Sequence, residues 1–226
     1  MVIENPWTRL RELTAARIAL GRAGHSLPTR ELLAFQLAHA KARDAVHCRL
    51  DPRSLPAYLY LKTAAPDRAT YLRRPDLGRR LSPESRNHLV HDNWDAIIII
   101  ADGLSATAVH RHAVPLVNAL MPELETWRLA PICIVEQARV AVGDEIGERT
   151  GAALSVVLIG ERPGLSSPDS LGAYLTWSPR VGRTDAERNC ISNIRPEGLD
   201  PPLAAHRIAQ LMNAARARQL TGITLT

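Results

Sequence analysis

The sequence is poor in cysteine and lacks any long apolar run. Its three cysteines, Cys48, Cys133 and Cys190, stand far apart and form no CxxC pair, which disfavours both a zinc site and a disulfide framework. The N-terminus lacks the basic start and apolar core of a signal peptide, and the most apolar stretch, Ile97–Ile100, is too short to cross a bilayer. We therefore expect a cytoplasmic protein with reduced thiols and no membrane contact.

Lysine is also scarce: of 28 basic residues, only Lys41 and Lys62 are lysines. Arginine suits interfaces and fixed contacts with carboxylates and phosphates, so a partner-binding role and an ordinary solvated surface both stay open. The net charge of +5 also suggests a nucleic-acid-binding module. The arginines are scattered along the chain, however, which makes this the weakest alternative.

Familiar catalytic motifs are missing as well. The chain contains no GxSxG, HExxH, Walker or GxGxxG sequence. His110 and His112 form an HxH pair, but alternate residues of a helix point apart, so no metal site is predicted. Asp144, Glu145 and Glu148 begin a predicted helix, where acids favour the dipole and a structural role is expected. We therefore predict no catalytic residue in this chain.

The first third of the chain has a helical pattern. Asn5 is predicted to cap one helix that has Pro6 at its first position, and Thr29, after Pro28, is predicted to cap a second. Apolar residues at helical spacing follow each cap. The 226 residues suffice for one large domain or two small ones. We predict a small helical N-terminal domain over residues 1–90.

From about residue 91 the pattern changes. Three largely apolar runs are typical of buried parallel strands: Ile97–Ile100, Ile132–Val135 and Leu154–Ile159. Helical segments over 106–120 and roughly 144–153 separate them, and a last helix begins at Pro201 with Asp200 as its cap. Residues 91–226 are therefore predicted to form an α/β domain: an open, mostly parallel sheet flanked by helices in a Rossmann-like arrangement.

Two strand ends lead into loops that suit ligand binding, because ligands of open α/β sheets bind at the carboxyl ends of strands. Asp102–Ser105 follows the first, although an ordinary strand–turn–helix junction is the preferred explanation of these residues. The second loop has two glycines and two prolines, which permit close approach and hold the chain fixed. Its Glu161 and Arg162 either present polar groups to an amide-rich ligand or form a local ion pair.

A third segment places cations near Cys190. Arg183 and Arg188 flank it in sequence, and neighbouring cations can activate a thiol. The segment has no histidine to act as a base. A small, packed cysteine is therefore the preferred interpretation.

These loop sequences resemble those of the small, or light, subunit of ethanolamine ammonia-lyase. The most specific matches are residues 160–172, which begin Gly-Glu-Arg-Pro-Gly-Leu, and Arg188–Ile194, which reads Arg-Asn-Cys-Ile-Ser-Asn-Ile. The resemblance runs in order through nearly the whole chain, with further matches over 16–24, 71–80, 102–105 and 143–148.

The resemblance implies a role in an adenosylcobalamin-dependent lyase that converts ethanolamine to acetaldehyde and ammonia. In that family, homolysis of the cobalt–carbon bond starts a radical reaction on a large subunit, which also binds ethanolamine. The small subunit would help fix the cobalamin at the interface between the two subunit types. This division of labour agrees with the lack of catalytic motifs here.

By motif match, the resemblance implies three cobalamin contacts: Val140, Glu161 and Cys190. Primary amides on the corrin rim could donate to the Glu161 carboxylate or to the main-chain carbonyl of Val140, and Cys190 would make a compact contact. Ala138 stands where we expect glycine, so the backbone beside Val140 is expected to differ slightly from the family pattern.

Two further expectations concern location and the competing function. Some relatives carry a long leader that directs them into a bacterial microcompartment, and this sequence begins without one. Cytoplasm is therefore preferred, with a microcompartment as the alternative. The competing function is a stand-alone α/β enzyme acting on a nucleotide or another small ligand, which requires a self-contained catalytic cluster.

Overall fold

The computed structural model describes residues 7–14, 16–22, 24–55, 59–223 and 225. These residues form a six-stranded mixed sheet and seven α-helices, which confirms the predicted α/β class. The helix start predicted at Asn5 and Pro6 lies outside the described residues. No helix in the described part of the chain is both long and apolar enough to cross a membrane.

The helices are α1 (Thr8–Glu12), α2 (Thr29–His47), α3 (Arg68–Arg73), α4 (Pro83–Arg86), α5 (Ala106–Leu120), α6 (Val142–Thr150) and α7 (Pro201–Arg218). The strands are β1 (Leu59–Lys62), β2 (Ala96–Ala101), β3 (Cys133–Glu136), β4 (Leu154–Gly160), β5 (Leu171–Trp177) and β6 (Asn189–Ile194). Thr29 is the first helical residue of α2 and makes no side-chain cap, so the cap predicted there is wrong. Asp200 does occupy the cap position of α7, without a side-chain hydrogen bond.

The strand order is β1-β3-β2-β4-β5-β6. The first four pair in parallel, whereas β5 and β6 are antiparallel to their neighbours. The three strands predicted from apolar runs are confirmed. The helical character expected for the first 90 residues does not extend to β1, because Leu61 pairs with Val135 in the same sheet. The division into domains 1–90 and 91–226 stays a prediction.

Helices cover both faces of the central strands. Ile98 and Ile100 pack with α5 and α7, whereas Ile97 and Ile99 belong to a second cluster with α6. Alternate residues of a strand point to opposite faces, so burial on both sides explains why the run is apolar throughout. The edge differs: in β6, buried and exposed residues alternate from Asn189 to Ser192. The face that carries Cys190 is therefore open to solvent.

Candidate functional site

Two glycines allow the ends of β2 and β4 to meet. A Cβ atom on Gly160 would lie 2.1 Å from the carbonyl oxygen of Ser105, and one on Gly103 would lie 2.2 Å from the carbonyl oxygen of Gly160. Gly103 also has φ +55°, which favours glycine. The amide of Leu104 donates to the Gly160 carbonyl at 2.9 Å. The two loops singled out in the sequence thus pack backbone against backbone.

A cavity of about 410 Å³ opens beside this junction. Its walls include Val140, from the segment before α6, and Glu161, from the loop after β4. Arg139, Arg162 and Tyr174 also line it. Two of the three residues expected to contact cobalamin are thus brought together from sequence positions 21 residues apart.

Hydrogen bonds fix the Glu161 carboxylate. Its Oε2 accepts from the Ser170 hydroxyl and, at 3.2 Å, from the backbone amide of Asn193. Its own amide donates to the Ser170 carbonyl at 2.9 Å. Oε1 makes no hydrogen bond with any described residue and packs over Gly172, where a Cβ would lie 2.9 Å away. The local ion pair with Arg162 does not form, so that alternative is wrong.

Val140 lies just before α6. Its carbonyl accepts from the amide of Gly143 at 3.0 Å, which leaves one lone pair of the predicted acceptor for a ligand. The unusual backbone conformation nearby falls on Gln137, with φ +61°. Ala138 is held by its own contacts: its amide donates to Asp102 Oδ1 at 3.1 Å and its carbonyl accepts from the Tyr71 hydroxyl at 2.8 Å.

Cys190 reaches this region through strand pairing. It lies directly opposite Tyr174 on the neighbouring strand β5, and residues paired in this way carry their side chains on one face. Burial, and then contact with the Cys190 thiol, raise the pKa of Tyr174. The Cys190 side chain is exposed and lies 3.1 Å from the Ser192 hydroxyl. The interpretation of Cys190 as a small, packed cysteine is therefore wrong.

The two arginines near Cys190 in sequence are engaged in ion pairs. Arg188 is buried and binds both oxygens of Asp144, at 2.6 and 2.7 Å. Arg183 pairs with Glu187. Burial is the largest influence on the pKa of Asp144 and raises it, while Arg188 opposes the shift. Arg188 therefore joins the start of β6 to α6, which is a structural role.

A stack around Tyr71 forms part of the site and was not predicted. The guanidinium groups of Arg139 and Arg68 lie 4.7 and 5.0 Å from the centre of its ring, and cation–π contacts of this kind are favourable. Tyr71 is fully buried and lines the cavity. The resemblance over residues 71–80 was the only signal in the sequence that could have indicated it. Tyr174 had no such signal.

Asp102 stabilises the turn after β2 and does not line the cavity that contains Val140 and Glu161. It is buried, accepts from the amide of Ala138, and pairs with Arg68 at 3.2 Å. Burial raises the pKa of Asp102 to about 6, against the opposing influence of Arg68. Ser105 caps α5 through the amide of Ala108 and donates to the Pro168 carbonyl at 2.9 Å. These contacts agree with the interpretation of Asp102–Ser105 as a strand–turn–helix junction.

The remaining candidate groups point to separate partners. His110 Nε2 accepts from the amide of Asp51 at 2.9 Å, whereas His112 Nε2 lies 3.5 Å from Asp169. Glu145 pairs with Arg86 and Arg149, a structural role as predicted. Among the described residues, no group of three or more His, Cys, Asp or Glu side chains is placed to hold a metal ion.

A second cavity, of about 270 Å³, lies at the ends of β1, β3 and β2. Its lining includes Lys62, Arg68, Asp102 and Glu136. Glu136 accepts from the Tyr60 hydroxyl at 2.5 Å. Cys48 also lines this cavity, and its thiol donates to the main-chain carbonyl of Arg49 at 3.6 Å rather than to a side-chain base.

The described residues form an α/β protein with an open cavity at one end of its sheet. Comparison with known proteins is more specific. The family model for the ethanolamine ammonia-lyase light chain matches residues 4–226. The chain therefore belongs to the ethanolamine ammonia-lyase light chain family, as its motifs predicted, and the assignment as a subunit of a lyase is confirmed with it.

Individual relatives agree with the family match. The chain is 59% identical to the ethanolamine ammonia-lyase small subunit of Azotobacter vinelandii, over 98% of this chain and 88% of the relative. It is 57% identical to the small subunit of Ralstonia nicotianae, over 99% of this chain and 89% of the relative. A Pseudomonas fluorescens small subunit is 55% identical, with coverage of 98% and 87%.

Proposed function

We propose that this chain forms one wall of an adenosylcobalamin site that the large subunit of ethanolamine ammonia-lyase completes. One observation carries the proposal: Val140 and Glu161 line the same cavity, and Cys190 stands opposite Tyr174, which lines it too. These three residues come from three separate segments. The family match supports a role shared with a larger subunit.

The residues at the cavity fit one edge of a corrin. The cavity is open to solvent, so a second protein surface is needed to enclose a group as large as a corrin with its nucleotide tail. Glu161 offers a fixed carboxylate whose Oε1 is not used by any described residue, and primary amides can donate to it. A buried amide left without a partner costs about 1–3 kcal/mol, so fixed acceptors along this edge stabilise the bound group.

Binding and orientation are the tasks of this chain's own residues. When bound, adenosylcobalamin supplies the radical chemistry, through its cobalt–carbon bond, for the conversion of ethanolamine to acetaldehyde and ammonia. The Gly103–Gly160 contact holds the two loops against each other, and the Arg188–Asp144 pair anchors the strand that carries Cys190. Ethanolamine itself would bind the large subunit.

The working form would be a hetero-oligomer of both subunit types, without nucleic acid or membrane. We place it in the cytoplasm, with a bacterial microcompartment as the alternative. The competing function is a stand-alone α/β enzyme, which requires a self-contained catalytic cluster; the family match supports the subunit role instead.

Co-expression with the large subunit tests the proposal. The complex should bind adenosylcobalamin and release acetaldehyde from ethanolamine only when the cobalamin is present. The isolated chain should show no turnover of ethanolamine. Failure of the two chains to form a complex would refute the proposal, and turnover by the isolated chain would favour the stand-alone enzyme.

A further inference from the structure

Large apolar side chains are exposed mainly in the first part of the chain. Of the fourteen large hydrophobic side chains that the structure shows as exposed, eight lie within residues 7–47, which we call the N-terminal arm. Leu13 is 81% exposed, and Leu33 and Leu37 are each 58% exposed. Such a concentration on one segment is unusual for the surface of a monomeric protein and marks an interaction site.

Helix α2 contributes little to the core of this chain. Among its 19 residues Ala45 alone is buried, near the C-terminal end. Earlier in the helix, Leu32 and Phe35 form one apolar stripe, and Leu33 with Leu37 forms a second beside it. Most helical stability comes from tertiary packing, and the stripe of Leu33 and Leu37 has little of it among the described residues.

The arm holds together as a unit. Arg11 on α1 pairs with Glu31 on α2 at 3.1 Å, and the guanidinium of Arg17 lies 5.9 Å from the centre of the Phe35 ring. These contacts orient α1 and the following segment along α2. Leu33 and Leu37, in contrast, belong to the more exposed stripe, which makes them the best probes of whatever the arm binds.

Charge indicates the character of the partner surface. The arm carries seven arginine and lysine side chains and three acids, a surplus of four out of the chain's net +5. A partner surface complementary to the arm has apolar residues at its centre and acidic residues around them. A second copy of the arm would bring like charges together, and a membrane-surface helix has one apolar face opposite a polar one, unlike two adjoining stripes interspersed with cations.

We infer that the N-terminal arm docks into an acidic, apolar groove of the large subunit, separately from the cobalamin cavity. A groove receives two adjoining stripes of one helix, as in other helix-in-groove complexes. The inference rests on the proposed function, since it assigns the surface by which the subunit partnership forms. The other occupants, a second copy of this chain or an anionic lipid surface, are outcomes of the test.

The test is co-purification of the full chain with a tagged large subunit. The arm variant carries Leu33→Glu and Leu37→Glu. The control carries Leu203→Glu, which replaces a comparably exposed leucine on α7. Wild type and control should co-purify at equal stoichiometry, whereas the arm variant should lose at least tenfold in bound large subunit. Its unfolding midpoint should be unchanged, because both leucines lie outside the core of this chain.

The outcomes separate the inference from the proposed function. If wild type itself does not co-purify, the proposed function fails, and the inference with it. If wild type co-purifies and the arm variant does so equally, the arm is not the docking surface. If the Leu203→Glu control loses as much bound large subunit as the arm variant does, the arm is likewise not identified as the docking surface. Retained assembly, combined with loss of self-association or of binding to phosphatidylserine vesicles, would instead identify one of the other occupants.

Discussion

Tyr174 and Cys190 stand directly opposite each other on β5 and β6, on the open face at the edge of the sheet. Tyr174 also lines the cavity that contains Val140 and Glu161. Through this pairing, Cys190 on β6 lies next to a lining residue of the cavity that Val140 and Glu161 also line. Cys190 is thereby the third proposed cobalamin contact, beside Val140 and Glu161.

The exposed thiol of Cys190 predicts protection by the ligand. Cys133 is buried and Cys48 is partly buried, so iodoacetamide should modify Cys190 first. In the assembled complex, bound cobalamin should slow this modification by about tenfold or more, as followed by mass spectrometry of the peptide that contains Cys190. A Cys190→Ser variant provides the background. Equal rates with and without cobalamin would argue against contact at this residue.

Removing one partner of the Arg188–Asp144 pair should be costly. Both side chains are almost fully buried, so Arg188→Met leaves an unpaired carboxylate and should lower the free energy of unfolding by about 3–5 kcal/mol. Urea unfolding of the purified chain measures this change. Arg74→Met is the control, because Arg74 and Asp76 form an exposed pair worth about 1 kcal/mol at most. Similar losses in both variants would contradict a structural role for the buried pair.

Strands with a strong sequence pattern of their own could be predicted, whereas strands with a weak pattern could not. The apolar run Ile97–Ile100 identifies β2, because burial on both faces makes a strand apolar throughout. Strand β6 was not predicted, although the buried residues Asn189 and Ile191 alternate with exposed ones. The exposed residues of β6 are polar, so its sequence resembles that of a loop. Strand β1 was missed because a four-residue strand between prolines has little pattern of its own.

The residues of the proposed site also differ in how far local sequence could predict them. Glu161 follows a predicted strand directly, so local sequence places it at a strand end. Cys190 approaches the cavity only through pairing of β5 with β6, a contact between distant segments that no local pattern reveals. Tyr71 and Tyr174 were missed for the same reason. The resemblance to a family identified Cys190 where periodicity could not.

Asp102 predicts a specific dependence of stability on pH. Burial raises its folded-state pKa to about 6, above the usual value of about 3.9, so the native state holds the proton more tightly than the unfolded state. Protonation of Asp102 therefore contributes to the free energy of unfolding. This contribution is fully present below about pH 4 and is lost as the pH rises through 6.

Replacing Asp102 by Asn removes this titration. Between pH 4 and 7, the unfolding free energy of the wild type should fall by about 2–3 kcal/mol relative to Asp102→Asn, at 1.36 kcal/mol per pKa unit. Chemical denaturation of both proteins at several pH values measures the difference. A difference that stays constant over this range would contradict the raised pKa.

The most direct test of the account is the affinity of the assembled complex for cobalamin when Glu161 is replaced by Gln. The amide oxygen can still accept from Ser170 and Asn193, so the loop and the assembly should be preserved, but an amide donor replaces the acceptor at Oε1. The predicted result is a Kd at least about tenfold higher, since a hydrogen bond to a charged group contributes about 1.5–3 kcal/mol. Glu125→Gln, at an exposed position outside the cavity, should leave the Kd unchanged. An unaltered Kd in the Glu161→Gln complex would contradict a cobalamin contact at this carboxylate.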